Sequence, residues 1–164
     1  MRTSYDVTII GAGVAAEAAL RELPGRAEHV GRIQSKCWRS LSGDIPHLRL
    51  NGPPPGEHRH TANLNLSVEF VEGEALALML DVKGIALAAG AACVTRSMRI
   101  PPILAAIGLP EALAKGNVIL SFGKDNTEAE VDYFVETFTK TVASLREMSP
   151  LWDDFQRGLI KSRI

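Results

Sequence analysis

The sequence predicts an α/β protein, a two-layer sandwich in which helices pack on a sheet. Residues 63–70 alternate apolar and polar side chains, as a half-buried strand does. Residues 117–122 form a second apolar strand candidate. Thr127 and Glu130 have the spacing of a capping box that opens an amphipathic helix. Elements in this order pack as layers around a core, although the sequence does not distinguish hairpin from crossover connections.

A long helix is predicted over residues 13–42. Its apolar side chains recur every three or four positions, with one turn skipped at Gln34, and comprise Ala16, Leu20, Leu23, Ala27, Val30, Cys37 and Leu41. The Pro24-Gly25 pair is expected to kink or break this helix, because proline removes a helical hydrogen bond.

The same region begins with a glycine motif, Gly11-x-Gly13-x-x-Ala16, after an apolar stretch. In dinucleotide-binding folds such a motif brings pyrophosphate to a helix N-terminus. Those folds also need a second strand that ends in an acidic residue about 20 positions later. Residues 28–36 end without one and continue the helical pattern. A dinucleotide-binding protein therefore stays only a remote alternative.

The remaining segments complete the predicted sandwich. They are a strand at 48–51, a loop at 52–60, a helix at 72–80, a short strand at 85–88, a helix at 101–107 and a helical turn at 110–115. The helix after the capping box presents one apolar face, made by Val131, Phe134, Val135, Phe138, Val142 and Leu145.

Composition excludes several classes of protein. The chain has 164 residues, 46% of them apolar and 23% charged, which is typical of a soluble globular domain. A net charge of −1 gives no electrostatic basis for binding nucleic acid or an anionic membrane. No apolar run approaches the ~20 residues of a membrane span, and no signal-peptide pattern opens the sequence. Two cysteines make no disulfide framework, so we expect a reducing, cytoplasmic location.

The principal candidate for chemistry is Cys93, which lies in the small-residue run AAGAACVTRS at 88–97. An accessible thiol in such a loop can act as a nucleophile or sulfur carrier, whereas a buried one merely packs like an apolar residue. Cys37 lies on the apolar stripe of the long helix, so core packing is its expected role. His58 and His60 could contribute to a metal site, but no third ligand stands nearby, and no metal is expected.

Five segments, in the correct order, resemble the C-terminal part of cysteine desulfurases of the NifS/IscS type. They are NLNLS at 63–67, VEGE at 71–74, AAGAACVT at 88–95, ILSFGKDNTEAE at 119–130 and LREMSPLW at 145–152. The opening VTIIGAG at 7–13 also fits the start of the family's inter-domain helix, which accounts for the glycine motif.

This resemblance implies the small C-terminal domain of a fold-type I pyridoxal-phosphate enzyme, preceded by a long inter-domain helix. Enzymes of the family convert L-cysteine to L-alanine and hold the sulfur as a persulfide on a loop cysteine. They pass it to iron–sulfur cluster assembly or to a sulfur-relay protein. By correspondence, Cys93 is the persulfide carrier.

The sequence also departs from the family. The family's Schiff-base lysine lies upstream of the matched segments, and none of the chain's lysines lies in its motif. We therefore expect that this chain alone binds no pyridoxal phosphate and is not active alone. The arginine that pairs with the substrate carboxylate falls at Ile119, and an apolar side chain cannot replace a bidentate guanidinium. Two hypotheses stay open: part of a desulfurase with Cys93 as carrier, or a non-catalytic binding module.

The predicted organisation is an N-terminal segment and interrupted helix at 1–42, a small α/β domain at 43–148 and a C-terminal tail at 149–164. Ser149-Pro150 is expected to end regular structure, because a residue before proline disfavours the helical region. Trp152 and Phe155 either anchor an iron–sulfur scaffold protein beside the Cys93 loop, or Trp152 simply covers the last helix. A large pyridoxal-phosphate domain or subunit is a further expected partner, in a homo- or hetero-oligomer.

Overall fold

A computed structural model describes residues 13–90 and 100–164 of the chain. In chain order the elements are α1 (Gly13–Asp44), β1 (Leu48–Leu50), β2 (Asn63–Val68), α2 (Gly73–Asp81), β3 (Ala88–Ala89), α3 (Pro102–Ala106), α4 (Glu111–Ala114), β4 (Asn117–Ser121), α5 (Glu128–Glu147) and α6 (Pro150–Gln156). The predicted α/β class is confirmed. Within these ranges, no helix is both long and apolar enough to cross a bilayer.

The four strands form one antiparallel sheet in the order β1-β2-β4-β3. At its centre, Asn65 of β2 lies opposite Ile119 of β4, and Leu66 lies opposite Val118. Because opposite residues in an antiparallel pair point to the same face, this register sorts apolar and polar side chains onto different faces.

The apolar face of the sheet carries the core, and the helices α1, α2 and α5 cover it. These elements share one cluster of buried side chains: Ile33, Cys37, Leu41, Ile45, Leu64, Leu66, Val68, Val71, Leu76, Leu80, Val118, Leu120, Val131, Val135, Phe138 and Val142. The short helices α3 and α4 build a separate cluster from Leu104, Leu109, Leu113 and Ala114. The layer arrangement is that predicted from the periodicity of the strands and of α5.

Helix α1 continues through Pro24 as one helix of 32 residues, so the expected break at Pro24-Gly25 does not occur. Among the stripe residues whose burial is described, those from Val30 onward are buried, whereas Leu20 and Leu23 are about half exposed. Proline leaves one carbonyl oxygen of the preceding turn without its helical donor, and here it lies in the exposed half of the helix, where water can replace that donor.

The turn of α1 that the predicted stripe skipped is also buried. Ile33 and Gln34 are both 1% exposed. Gln34 can be buried because its Nε2 donates to the carbonyl oxygens of His60 and Asn63, both at 2.8 Å. A polar side chain with both bonds satisfied therefore extends the packed face of α1 and holds the chain that leads into β2.

The capping box at the start of α5 is confirmed. The backbone N–H of Glu130 donates to Thr127 Oγ1 at 3.2 Å, and the N–H of Thr127 donates to Glu130 Oε2 at 2.8 Å. Lys36 of α1 joins the two long helices, since its Nζ lies 2.7 Å from Asp132 Oδ1 and donates to the Glu128 carbonyl at 3.1 Å.

Strand β3 is shorter and later than predicted, at Ala88–Ala89 instead of 85–88. The N–H of Ile85 still donates to the carbonyl of Leu80 at 3.0 Å, after Gly84 turns the chain with a φ of +77°. Ile85 therefore completes the end of α2, and strand pairing with β4 begins only at Ala88.

Two glycines allow a close approach between the chain at the start of β4 and the chain that joins β2 to α2. A Cβ on Gly73 would lie 2.5 Å from the carbonyl oxygen of Asn117. A Cβ on Gly116 would overlap the carbonyl of Val68 and lie 2.9 Å from that of Val71. Both contacts are with backbone, so a side chain at either position must displace the sheet.

The chain beyond α5 is not the irregular tail that the sequence predicted, because α6 forms there. Ser149 is extended, with φ −92° and ψ 117°, and Pro150 occupies the first turn of α6. An extended residue before proline ends one helix, but it also has the conformation of a helix N-cap, and proline suits the first helical turn. The same dipeptide therefore separates two helices.

Candidate functional site

The face of the sheet opposite the core is polar where β1, β2 and β4 meet. It carries Asn65 and Ser67 of β2, Asn117 of β4 and Asn51, which comes directly after β1. Asn51, Ser67 and Asn117 are each less than 5% exposed. A buried group of amides and hydroxyls is stable only when its members bond to one another, so their contacts define what this face can offer.

The orientation of these amides follows from one backbone carbonyl. The Leu66 carbonyl can only accept, so the Asn117 atom at 2.9 Å from it is the donor Nδ2. The same Nδ2 donates to Asn65 Oδ1 at 2.6 Å, and Asn51 Nδ2 donates to Asn65 Oδ1 at 2.8 Å and to Ser67 Oγ at 2.9 Å. In the described part of the chain, the buried Oδ1 atoms of Asn51 and Asn117 accept no hydrogen bond.

The backbone carbonyl of Asn51 is bound by Arg59, which lies in the loop after β1. Arg59 donates to the carbonyl oxygens of Asn51 and Pro53, and its Nη1 donates to that of Asn63 at 3.2 Å. Burial lowers the pKa of Arg59 from its ordinary value. Asn51, Asn117 and Arg59 were not singled out from the sequence; polar residues at the ends of apolar strands are the local pattern that marks the two asparagines.

Ile119 lies on this polar face, directly opposite Asn65 and Ala88 in the neighbouring strands. It is the position to which the resemblance assigns the substrate-binding arginine. The side chains directly opposite Ile119 are therefore the amide of Asn65 and the methyl group of Ala88. Arg49, which faces Ser67, brings a guanidinium to the same face from the edge strand β1.

Cys93 lies in 91–99, outside the described residues. The chain leading into that segment is described: Ala88 and Ala89 pair with β4, and the N–H of Gly90 donates to the carbonyl of Asn117 at 2.9 Å. On the other side of the segment, Ile100 packs on the α3–α4 cluster. The segment that contains Cys93 therefore starts beside the polar face, next to the strand that carries Ile119.

Cys37 has the core role that its place on the stripe predicts. It is fully buried within the main cluster. Burial raises the pKa of its thiol to about 12, because no nearby charge compensates the thiolate. At neutral pH Cys37 is therefore a protonated thiol without access to solvent, and it is not a candidate nucleophile.

The lysines of the chain do not fit a Schiff-base site for pyridoxal phosphate. All six lie within the described ranges, and all but Lys36 are exposed. Lys36 is ion-paired with Asp132, which raises the pKa of its amine. A Schiff base requires an amine whose neutral form is favoured by burial or by a nearby cation. That this chain alone binds no pyridoxal phosphate stays a prediction.

The two candidate metal-binding histidines both lie on the exposed loop after β1. Nδ1 of His60 accepts a hydrogen bond from the N–H of Ala62 at 3.2 Å. In the ranges 13–90 and 100–164, no three histidine, cysteine, aspartate or glutamate residues come together as a metal site. The absence of a metal at His58 and His60 stays a prediction.

The tail residues Trp152 and Phe155 pack on the chain itself. With His47 and Phe70 they form the aromatic cluster, in which Phe70 lies 5.4 Å from Trp152 and 4.9 Å from Phe155 between ring centroids. Arg146, only 5% exposed, lies 4.9 Å over the Trp152 ring. These contacts bear out the alternative in which Trp152 covers the last long helix.

The chain resembles known proteins along most of its length. A family model for class-V aminotransferases matches residues 7–134. The chain is 38% identical over 156 residues to the cysteine desulfurase IscS of Clostridium botulinum strain Hall, which covers 95% of this chain and 39% of that protein. It is 36% identical over 151 residues to the cysteine desulfurase IscS of Shewanella piezotolerans, covering 92% and 36%. A solved NifS-like protein aligns with a TM-score of 0.68 and 27% identity over 80% of this chain and 32% of its own.

The chain spans about two fifths of the length of the curated relatives that it matches. The resemblance drawn from the five motifs is confirmed by these matches, which come from sequence and structure separately. Because the family model covers the long helix, the sheet and the start of α5, the chain belongs to the aminotransferase class-V family.

Proposed function

We propose that this chain supplies the small-domain part of a cysteine desulfurase and that Cys93 carries the sulfur. One sulfur atom leaves L-cysteine and binds to Sγ of Cys93 as a persulfide, while L-alanine is released. The persulfide then delivers sulfur to iron–sulfur cluster assembly in the reducing cytoplasm. The observation that carries this proposal is the 38% identity with a cysteine desulfurase along 95% of the chain.

The described chain that leads to the Cys93 segment supports the carrier role. Gly90, the last described residue before the segment, is hydrogen-bonded to Asn117 on the strand that carries Ile119. Cys93 follows Gly90 by three positions in the sequence, so the described chain ends beside the polar face shortly before the cysteine. The other thiol, Cys37, is buried and protonated, so it cannot compete for sulfur.

The cleavage of the carbon–sulfur bond is assigned to residues outside these 164. Pyridoxal phosphate, when bound, supplies the electron sink for that chemistry. Because the lysines present here do not fit a Schiff base, we infer that a large domain or a separate subunit provides the cofactor site. The role of this chain is then to present Cys93 and to pass on the sulfur.

Sulfur loading tests the carrier role. The protein is incubated with cysteine persulfide, alkylated and digested without reductant, and the sulfur is located by mass spectrometry. We expect one additional sulfur on Cys93, the same loading in the matched variant Cys37→Ser, and none in Cys93→Ser. Loading of Cys37 in place of Cys93, or no loading at all, contradicts the proposal.

Borohydride reduction tests the assignment of the cofactor site. The chain is incubated with pyridoxal phosphate and L-cysteine and then reduced. We expect no stoichiometric phosphopyridoxyl adduct on any one lysine and no alanine. An adduct on a single lysine, together with turnover of cysteine, would place the complete active site within this chain.

A non-catalytic binding module is the second candidate, and the place of Ile119 favours it. An apolar side chain between Asn65 and Ala88 cannot form a bidentate pair with a substrate carboxylate. The two candidates differ in what Cys93→Ser removes. If the chain carries sulfur, the variant keeps its partners and loses sulfur transfer; if it is a binding module, the variant behaves as the parent in both assays.

An iron–sulfur scaffold is the proposed partner of the region 149–164. Trp152 and Phe155 are engaged within the chain, so contacts with a scaffold fall to Leu151 and Leu159, which are 53% and 68% exposed. We expect Leu151→Asp and Leu159→Asp to weaken pull-down of an iron–sulfur scaffold with little change in the thermal midpoint. Leu78→Asp, at an equally exposed leucine of α2, is the matched control. Equal binding by all variants contradicts this docking site.

A further inference from the structure

The chain turns back toward the sandwich after α6. Gly158, with a φ of +73°, donates its N–H to the Phe155 carbonyl at 3.0 Å, and the N–H of Leu159 donates to the Asp154 carbonyl at 2.9 Å. This pair of bonds is the Schellman motif that ends many helices. Residues 158–164, which we call the strap, then run to the end of strand β2.

The strap is held there by one buried carboxylate. Glu69 is 4% exposed. Its Oε2 accepts a hydrogen bond from Ser162 Oγ at 2.6 Å, and its Oε1 accepts one from the N–H of Arg163 at 2.7 Å. Arg146 donates instead to the backbone carbonyl of Glu69, at 3.3 Å from Nε and 3.2 Å from Nη2. In the described residues, the hydrogen bonds to the carboxylate therefore come from the strap.

The direction of the hydrogen bonds at Ser162 follows from its single proton. An ionised carboxylate only accepts, so the hydroxyl donates to Glu69. Ser162 Oγ must then accept from Nδ1 of His47 at 3.0 Å and from the N–H of Ile164 at 3.2 Å. His47 Nδ1 also lies 3.7 Å from Glu69 Oε2. Ser162 thus links the strap to His47, a member of the aromatic cluster.

We propose that the strap is a latch that opens as a local unit and uncovers the aromatic cluster while the sandwich stays folded. Helix α6 has no fully buried residue, so packing in a core does not fix it. The strap is held by the Glu69 carboxylate, and α6 by the aromatic cluster and the Arg146 guanidinium over Trp152. The bonds from Arg146 to the Glu69 carbonyl do not involve the strap, so opening leaves the end of β2 in place. The latch is independent of the proposed sulfur-carrier role, because it uses neither Cys93 nor Ile119; it shares only Leu159 with the proposed scaffold contact.

Amide hydrogen exchange on the full chain tests the latch. Glu69→Gln keeps the size of the side chain and removes its charge, and Ser162→Ala removes only the hydroxyl. We expect each to accelerate exchange of the strap amides about tenfold or more, as the loss of a charge-assisted hydrogen bond predicts. Amides of β2 and β4 should exchange as in the parent. Glu72→Gln and Ser144→Ala are the matched controls, since both side chains are exposed.

Two results overturn the proposal. Unchanged exchange in the strap means that the carboxylate does not hold it. Equal acceleration in the strap and in β2 and β4 means that Glu69 stabilises the whole sandwich instead. If Glu69→Gln does not fold, Ser162→Ala decides, because it leaves the buried carboxylate with its Arg163 bond.

Discussion

Arg146 joins three parts of the fold, and its replacement by methionine tests how the C-terminal region is held. Its Nη2 donates to the Pro46 carbonyl at 2.7 Å and its guanidinium also reaches the Glu69 carbonyl. The same group lies over the ring of Trp152 in α6. Methionine fills much of the space of the arginine stem but has no donor, so Arg146→Met removes the bonds and the cation–π contact while keeping the packing.

The expected loss of stability is about 3 kcal/mol. A hydrogen bond from a charged donor contributes about 1.5–3 kcal/mol, and a partly desolvated cation–π contact about 1–2 kcal/mol. Part of this sum is offset, because burial of the charge is unfavourable and lowers the pKa of Arg146. For a chain of this length, the thermal midpoint should fall by roughly 6–12 °C.

Urea unfolding, monitored by circular dichroism, measures this loss. Arg157→Met is the matched control, because Arg157 is exposed and forms only a surface pair with Asp153 at 2.8 Å. That variant should change the unfolding free energy by less than about 1 kcal/mol. If Arg146→Met also stays within about 1 kcal/mol of the parent, the bonds from Arg146 do not hold the C-terminal region, and the reasoning is refuted.

Other parts of the molecule give three further predictions. Brief alkylation of the native protein should label Cys93 before Cys37, whose thiol is buried with a pKa of about 12; equal protection of both would remove the carrier role. Gly116→Ala should lower the unfolding free energy in urea by about 2–4 kcal/mol, because the added Cβ overlaps the Val68 carbonyl. Gly25→Ala, whose added Cβ would have no atom within 4 Å, should be neutral or stabilising, and similar urea midpoints for both variants would contradict the close approach of the backbone at Gly116. The hydrogen bond from the Thr127 backbone N–H holds the pKa of Glu130 below its ordinary value. The contribution of the Glu130 carboxylate to stability is therefore complete above the unfolded pKa near ~4.3 and is lost as the pH falls through the folded pKa. Glu130→Gln should flatten the acid limb of the curve of unfolding free energy against pH, and an unchanged limb would exclude this contribution.

The elements that depend on local periodicity could be predicted from the sequence. The alternation in β2 and the three-and-four spacing in α5 repeat within a few residues, so each is visible without knowledge of the fold. The order of these elements along the chain then predicted the two-layer arrangement. The start of β3 was misplaced and helix α6 was not predicted, because proline and glycine mark the end of one element without specifying the next one.

The buried polar contacts could not be predicted in this way. Arg146 and Glu69 are 77 positions apart, and Ser162 and Glu69 are 93 apart. A buried arginine or glutamate looks like a surface residue in a single sequence, because only the folded chain brings its partner within reach. Gln34 interrupted the predicted stripe of α1 for the same reason. The position of the candidate site at Cys93 remains a prediction from its motif.

The short edge strands limit intermolecular strand pairing between copies of this chain. The central strands β2 and β4 have six and five residues, whereas the outer strands β1 and β3 have three and two. An exposed edge offers unpaired N–H and C=O groups to which another chain can add a strand, and very short edge strands limit that risk. In the described part of the sheet, each edge therefore offers little for intermolecular pairing. Variants that lengthen β3 with β-branched residues at 86–87 are expected to aggregate faster than the parent at equal stability, which light scattering would measure.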